Sequence, residues 1–167
     1  YLYAFFETGV ADAHASVEAL THGQWWAGGV MRSLHRYASD AMAFTMLLHM
    51  LRHFAFDRFR GFRWFSWLTG VALIWLAYVS GIGGYWITWD RVAQFSAIAT
   101  TELLDWLPIF SAPSARNFLA PDSVGDRFFA VLVFTHIGVP LMLMLGLWAH
   151  VNRISRVDYL PSRRVML

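Results

Sequence analysis

The sequence contains no cysteine and no lysine, and charge of either sign is scarce, at 14% of 167 residues. The lack of cysteine excludes disulfides, thiolate-held iron–sulfur clusters and thioether attachment of a c-type haem within these residues. All thirteen basic residues are arginine. A formal net charge of +2, with the arginines scattered along the chain, argues against a nucleic-acid partner. There is no signal-peptide pattern and no initiating Met: the chain opens Tyr-Leu-Tyr.

Apolar residues fill the space that charge leaves. They make up 57% of the chain, with fourteen Phe and nine Trp. That is the composition of a membrane protein, and the length suits one domain. Residues 1–9 are apolar and aromatic but too short to span, and read as the end of an upstream helix. Residues 11–21 suggest a short surface helix, with His14 and His22 as ordinary surface histidines. Trp25 and Trp26 fit an interfacial aromatic belt. The first span is expected from about Gly29 to Phe54, followed by a basic loop with Arg58, Arg60 and Arg63 against Asp57. The second span, Trp64 to Trp89, holds no charged residue. A long acidic connection, 90–127, opens with an amphipathic stretch expected to lie on the membrane. Pro108, Pro113 and Pro121 break the rest of this connection, and its length suits a roof over a quinone pocket. The third span runs from about Phe128 to His150, with Pro140 expected to kink it. The tail, 151–167, is basic.

Two histidine pairs organise these spans. His35 and His49 are fourteen residues apart in the first span, and His136 and His150 are fourteen apart in the third. On an α-helix, fourteen residues rise about 21 Å and return to within about 40° of the same face. Two such helices side by side offer two imidazole pairs, one towards each side of a bilayer core about 30 Å thick. Buried intramembrane histidines are costly and usually functional. A haem iron takes one imidazole from each side, so the pattern predicts two stacked haems clamped between two helices. Gly70 and Gly84, also fourteen apart, are expected beside the haem rings at the two histidine depths. Arg32 and Arg36 flank His35 and suit haem propionates. Asp40 lies within the span and either relays protons or pairs structurally. His53 shares a face with His49 but has no partner at its depth, and reads as interfacial.

Charge gives the orientation. The first loop and the tail are net positive and the long connection is net negative. The positive-inside rule puts loop and tail on the cytoplasmic side. His35 and His136 then share the outer depth, and His49 and His150 the inner one. Topology thus pairs the histidines without reference to their spacing.

With these residues the chain resembles the N-terminal, haem-bearing half of cytochrome b from quinol–cytochrome c and plastoquinol–plastocyanin oxidoreductases. The resemblance is carried by A-H-A-S-V, by M-R-S-L-H-R-Y with Arg32, His35 and Arg36, and by H-M-L-R with His49. Gly70, Gly84, G-G-Y-x-x-x-W-D at 83–90, S-V-G-D-R at 123–127 and H-x-x-x-P from His136 to Pro140 complete it. It implies an all-α membrane protein, a dihaem bundle with two six-coordinate b haems. Three full spans are visible, with a fourth expected upstream of Tyr1. Two departures stand out: Thr88 where the family usually has Pro, and Asp40 where a small hydroxyl residue is usual.

The resemblance also implies partners. A separate subunit would supply the second half of cytochrome b or an equivalent quinol site, alongside an iron–sulfur protein and a c-type cytochrome in the same bilayer. The expected role is an electron-transfer subunit of a quinol-oxidising complex, not a complete enzyme alone. The expected location is the bacterial cytoplasmic (inner) membrane. Quinone would be reduced near His150, Asn152 and Arg153 on the inner side. Two rival readings are a dihaem anchor linking another dehydrogenase or reductase to the quinone pool, and a haem-free membrane protein using its histidines for metal or proton relay.

Overall fold

In the computed structural model the described residues are 1–108, 119 and 123–152, and among them there is helix but no strand. A short surface helix, α1 (Asp12–Glu18), is followed by two π-helical turns, Ala19–Gly23 and Trp25–Gly29, which lead into α2 (Val30–Ala55). Helix α3 (Trp64–Ile87) returns, α4 (Arg91–Asp105) runs on from its end, and α5 (Asp126–Asn152) closes the described chain. α5 continues through Pro140.

The helix ends reflect local chemistry. Asp57 and Gly61, both with positive φ (53° and 60°), turn the chain between α2 and α3. Asp tolerates this region and Gly has no Cβ to clash. At the other end of α3, Trp89 also has positive φ, at 46°. For a bulky side chain that conformation costs about 1–3 kcal/mol and persists only where packing enforces it. Here the indole packs edge-on against both Phe128 and Phe129, with ring centres 5.3 and 5.4 Å away. The Gln94 side-chain amide donates to the Trp89 carbonyl at 2.9 Å. Asp90 then caps α4, its carboxylate accepting from the Ala93 N–H at 2.7 Å. Such a cap contributes about 1 kcal/mol.

Packing is concentrated at this end. Ala13 of α1, Trp89, Ala97 of α4 and Phe129 of α5 form a buried cluster, with Phe6, Trp86 and Phe128 against it. This clasp joins α1, the α3–α4 turn, α4 and the start of α5. Beyond it α3 and α5 run side by side, and the backbones of α2 and α5 barely approach one another. At the α3–α5 crossing, a Cβ on Gly146 would lie 2.9 Å from Leu73 Cδ2, so the small residue permits the approach.

The helix segments Gly61–Ile87 and Asp126–Asn152 are long and apolar enough to cross a membrane, with mean hydropathy 1.6 and 2.2 and little buried surface. α2 is as long, at 26 residues, and has no buried residue at all. Its lower hydropathy traces to Arg32, Arg36, Asp40, Arg52 and three histidines on one helix. The tail beyond Asn152, with Arg153, and the part of the connection holding Pro113, Arg116, Pro121 and Asp122 lie outside the described residues.

Candidate haem-binding site

The four histidines come from the two helices whose backbones stay apart. His35 and His49 are on α2, and His136 and His150 on α5. His35 and His136 meet across the gap, with ring centres 5.9 Å apart and planes at 89°. His49 and His150 lie fourteen residues further along the same two helices. Two layers therefore exist, one near the clasp and one near the α2–α3 loop.

The ring of His136 is oriented from α3. Its Nδ1 lies 2.9 Å from the carbonyl oxygen of Ser80. A carbonyl only accepts, so Nδ1 carries the proton and donates, and Nε2 keeps a free lone pair. This is how metal-bound histidines are usually held. Gly84 makes the contact possible, because Ser80 and Gly84 are one turn apart on α3 and the ring reaches the carbonyl across the glycine. A Cβ on Gly84 would collide with the imidazole, touching Cε1 and lying 2.8 Å from Nδ1.

The second layer repeats the device one interval along. The ring of His150 lies over Gly70, whose added Cβ would be 3.3 Å from Cε1. Ser66 stands one turn before Gly70, as Ser80 stands one turn before Gly84. Here a side chain joins in: Thr69 Oγ1 lies 2.9 Å from His150 Nδ1. That hydroxyl is within donating distance of the carbonyls of Phe65 (2.9 Å) and Ser66 (3.1 Å). Its proton goes to a carbonyl, and its oxygen accepts from Nδ1–H.

Of the other residues singled out in the sequence, Arg32 is half-buried and donates from Nη1 to Thr21 Oγ1 at 3.0 Å, leaving its other N–H groups for a further anion. Arg36 and Asp40 are exposed on α2. Thr88 Oγ1 donates to the Tyr85 carbonyl at 2.9 Å and so secures the last turn of α3. The His53 ring lies beside that of His49, tilted by 55°, with ring centres 4.4 Å apart. His22 pairs with Glu18 at 3.2 Å on the surface. A groove of about 810 Å³ between the N-terminal segment and α5, lined by Tyr3, Phe6, Glu7, Ala130 and Phe134 among others, includes none of the four paired histidines.

Thr69 and Ser80 were not singled out from the sequence, and Gly83 entered only as part of the G-G-Y-x-x-x-W-D motif. The signal was present: S-W-L-T-G at 66–70 and S-G-I-G-G at 80–84 repeat at the same interval as the histidines. Ser80 acts through its main-chain carbonyl, which any residue type supplies.

The donor set fits a bis-histidine haem. Two bonds of about 2 Å from a first-row metal to imidazole nitrogen, plus about 1 Å from each nitrogen to its ring centre, put opposed rings about 6 Å apart. The observed separation is 5.9 Å. Among the described residues no three His, Asp or Glu side chains converge on a common point. The arrangement offers imidazoles in pairs. The chain also matches, over residues 40–164, the family described as cytochrome b (N-terminal)/b6/petB. The match takes in His49, His136, His150, Gly70 and Gly84, while Arg32, His35 and Arg36 precede it. The chain belongs to this cytochrome b N-terminal family, and is a membrane-integral b-type cytochrome of electron transfer that binds haem b.

Proposed function

We propose that the chain is the dihaem subunit of a quinol-oxidising bc-type complex, carrying electrons across the membrane. His35 and His136 ligate an outer haem b, and His49 and His150 an inner one. When bound, each haem would supply a one-electron iron centre, and its two imidazole donors would suit it to electron carriage rather than to oxygen chemistry. The chain's own residues hold and tune these centres. Ser80 and Thr69 orient His136 and His150, Gly84 and Gly70 clear space for the rings, and Arg32 and Arg36 offer guanidinium groups to propionates.

α2 is also a span in this reading, the first of three, with the α2–α3 loop and the basic tail on the cytoplasmic side of a bacterial inner membrane. Partner subunits supply the second half of cytochrome b, an iron–sulfur protein and a c-type cytochrome. A quinone site near His150, Asn152 and Arg153 belongs to the same proposal. The observation that carries it is the facing pair His35–His136, with ring centres 5.9 Å apart and the Nδ1 of His136 committed to a main-chain carbonyl.

The test is the haem content and reduced-minus-oxidised spectrum of the purified complex, with carbon monoxide added to the reduced form. The expected result is about two low-spin b haems per chain, indifferent to carbon monoxide. A haem-free preparation, or haem that binds carbon monoxide at both layers, would overturn the reading.

A further inference from the structure

The two histidine layers rest on one repeated segment of α3 that differs at a chemically decisive place. Ser66, Thr69 and Gly70 correspond, at a shift of fourteen, to Ser80, Gly83 and Gly84. The Ser80 carbonyl lies 2.9 Å from His136 Nδ1, and the last glycine of each half, Gly84 or Gly70, lies beside its histidine ring. The remaining position carries a hydroxyl in one half and only hydrogen in the other. Thr69 Oγ1 is 2.9 Å from His150 Nδ1. At Gly83 nothing corresponds, and the nearest atom to an added Cβ is the Cβ of His136, at 3.8 Å.

We propose that Thr69 is a positioning residue that sets the reduction potential of the inner haem through His150, and that Gly83 leaves the outer haem without this control. The inference rests on the dihaem reading above. An acceptor on Nδ1–H makes the imidazole a more basic ligand, and a more basic ligand favours ferric over ferrous iron. Thr69 supplies that acceptor in a fixed place, because its own proton is held by the carbonyls of Phe65 and Ser66. Thr69→Val keeps the branched shape and deletes the acceptor that lies 2.9 Å from His150 Nδ1. The inner haem's midpoint potential should therefore rise.

The experiment is an optical redox titration of both b haems in the intact complex, for the native chain, Thr69→Val and Thr69→Ser. The expected result is an upward shift of the inner midpoint in Thr69→Val, its return to the native value in Thr69→Ser, and an outer midpoint unmoved in both. An inner midpoint that stays in place, or falls, with both haems bound would overturn the role of Thr69 and leave the dihaem reading standing. Equal shifts of both haems would reduce Thr69 to a general packing residue and overturn the inference too. Preparations of the native complex that bind no haem would overturn both together.

Discussion

At the layer near the clasp, His136 rests on bare backbone: Gly84 under the ring, Gly83 beside it, and the Ser80 carbonyl 2.9 Å from Nδ1. At the other layer His150 rests on Gly70, with the Thr69 hydroxyl reaching its Nδ1 at 2.9 Å. The fit is also tighter at the first. A Cβ on Gly84 would stand 2.8 Å from Nδ1 of His136, whereas the corresponding distance from Gly70 to His150 is 3.9 Å. The comparison separates two tasks. Backbone alone holds the ring of His136, through a carbonyl and a missing Cβ that do not depend on side-chain rotamers. Side chains then distinguish the layers, and they do so at the position that orientation leaves free.

Removing a ligand is the strongest way to break the comparison. His49→Ala and His150→Ala should each abolish the inner haem and keep the outer one; His35→Ala and His136→Ala should do the reverse. Pyridine haemochrome content should fall from about two haems per chain to about one in each case, in line with two independent bis-histidine sites. Equal loss of both haems from a folded variant in all four cases would contradict the pairing.

Next in size is overpacking at the two glycines. Gly84→Ala forces the His136 ring off its carbonyl, because the new methyl and the imidazole cannot share the space. Strain of this kind costs about 1–3 kcal/mol, and here it falls on a ligand. Outer-haem occupancy should drop clearly, with the inner haem retained. Gly70→Ala places its methyl 3.3 Å from Cε1 of His150, a tight contact relieved by a shift of a few tenths of an ångström. It should keep both haems. Quantitative reduced spectra of the two variants distinguish them, and equal losses would show that the layers are packed alike.

This asymmetry marks where the sequence stops being informative. The interval of fourteen in His35/His49, His136/His150 and Gly70/Gly84 is visible by inspection, because helical geometry converts it directly into shared faces and depths. The three long helices stem from the apolar runs, with ends within a few residues of expectation. The expected pairing of the histidines by depth follows from the alternation of the spans, and loop charge adds only their orientation. What stays hidden is contact that depends on backbone atoms. The acceptor at Ser80 is a carbonyl, so its identity as serine carries no signal. Trp89 is in sequence only the end of a span, until its positive φ and its contacts with Phe128 and Phe129 show it pinning the α3–α4 turn. The two π-helical turns before α2 have no periodicity that distinguishes them from the surface helix expected at 11–21.

A smaller effect sharpens the comparison from the opposite side. Gly83→Ser writes into the outer layer the hydroxyl that the inner layer has. The site tolerates a Cβ, whose nearest neighbour would be 3.8 Å away. A second acceptor near Nδ1 of His136 should lower the outer haem's midpoint while the inner one stays fixed, read in the same optical titration. A rise would mean that the new hydroxyl competes with the imidazole for the Ser80 carbonyl instead of accepting from it.

The smallest effect concerns the clasp itself. It lies next to one layer only: Phe129 is buried in the cluster and is seven residues, about two turns, before His136. Asp90→Ala removes the cap of α4 and should cost about 1 kcal/mol. Asp90→Asn keeps an acceptor at the same place and should cost less. Because the lost bond lies at the clasp end, the penalty should fall unevenly on the layers. On heating the Asp90→Ala complex, the outer haem's spectrum should be lost at lower temperature than in the native chain, with the inner haem's loss less affected. If both haems depart earlier by the same amount, the clasp stabilises the bundle as one cooperative unit, and the difference between the layers is confined to the few residues of α3 that touch the rings.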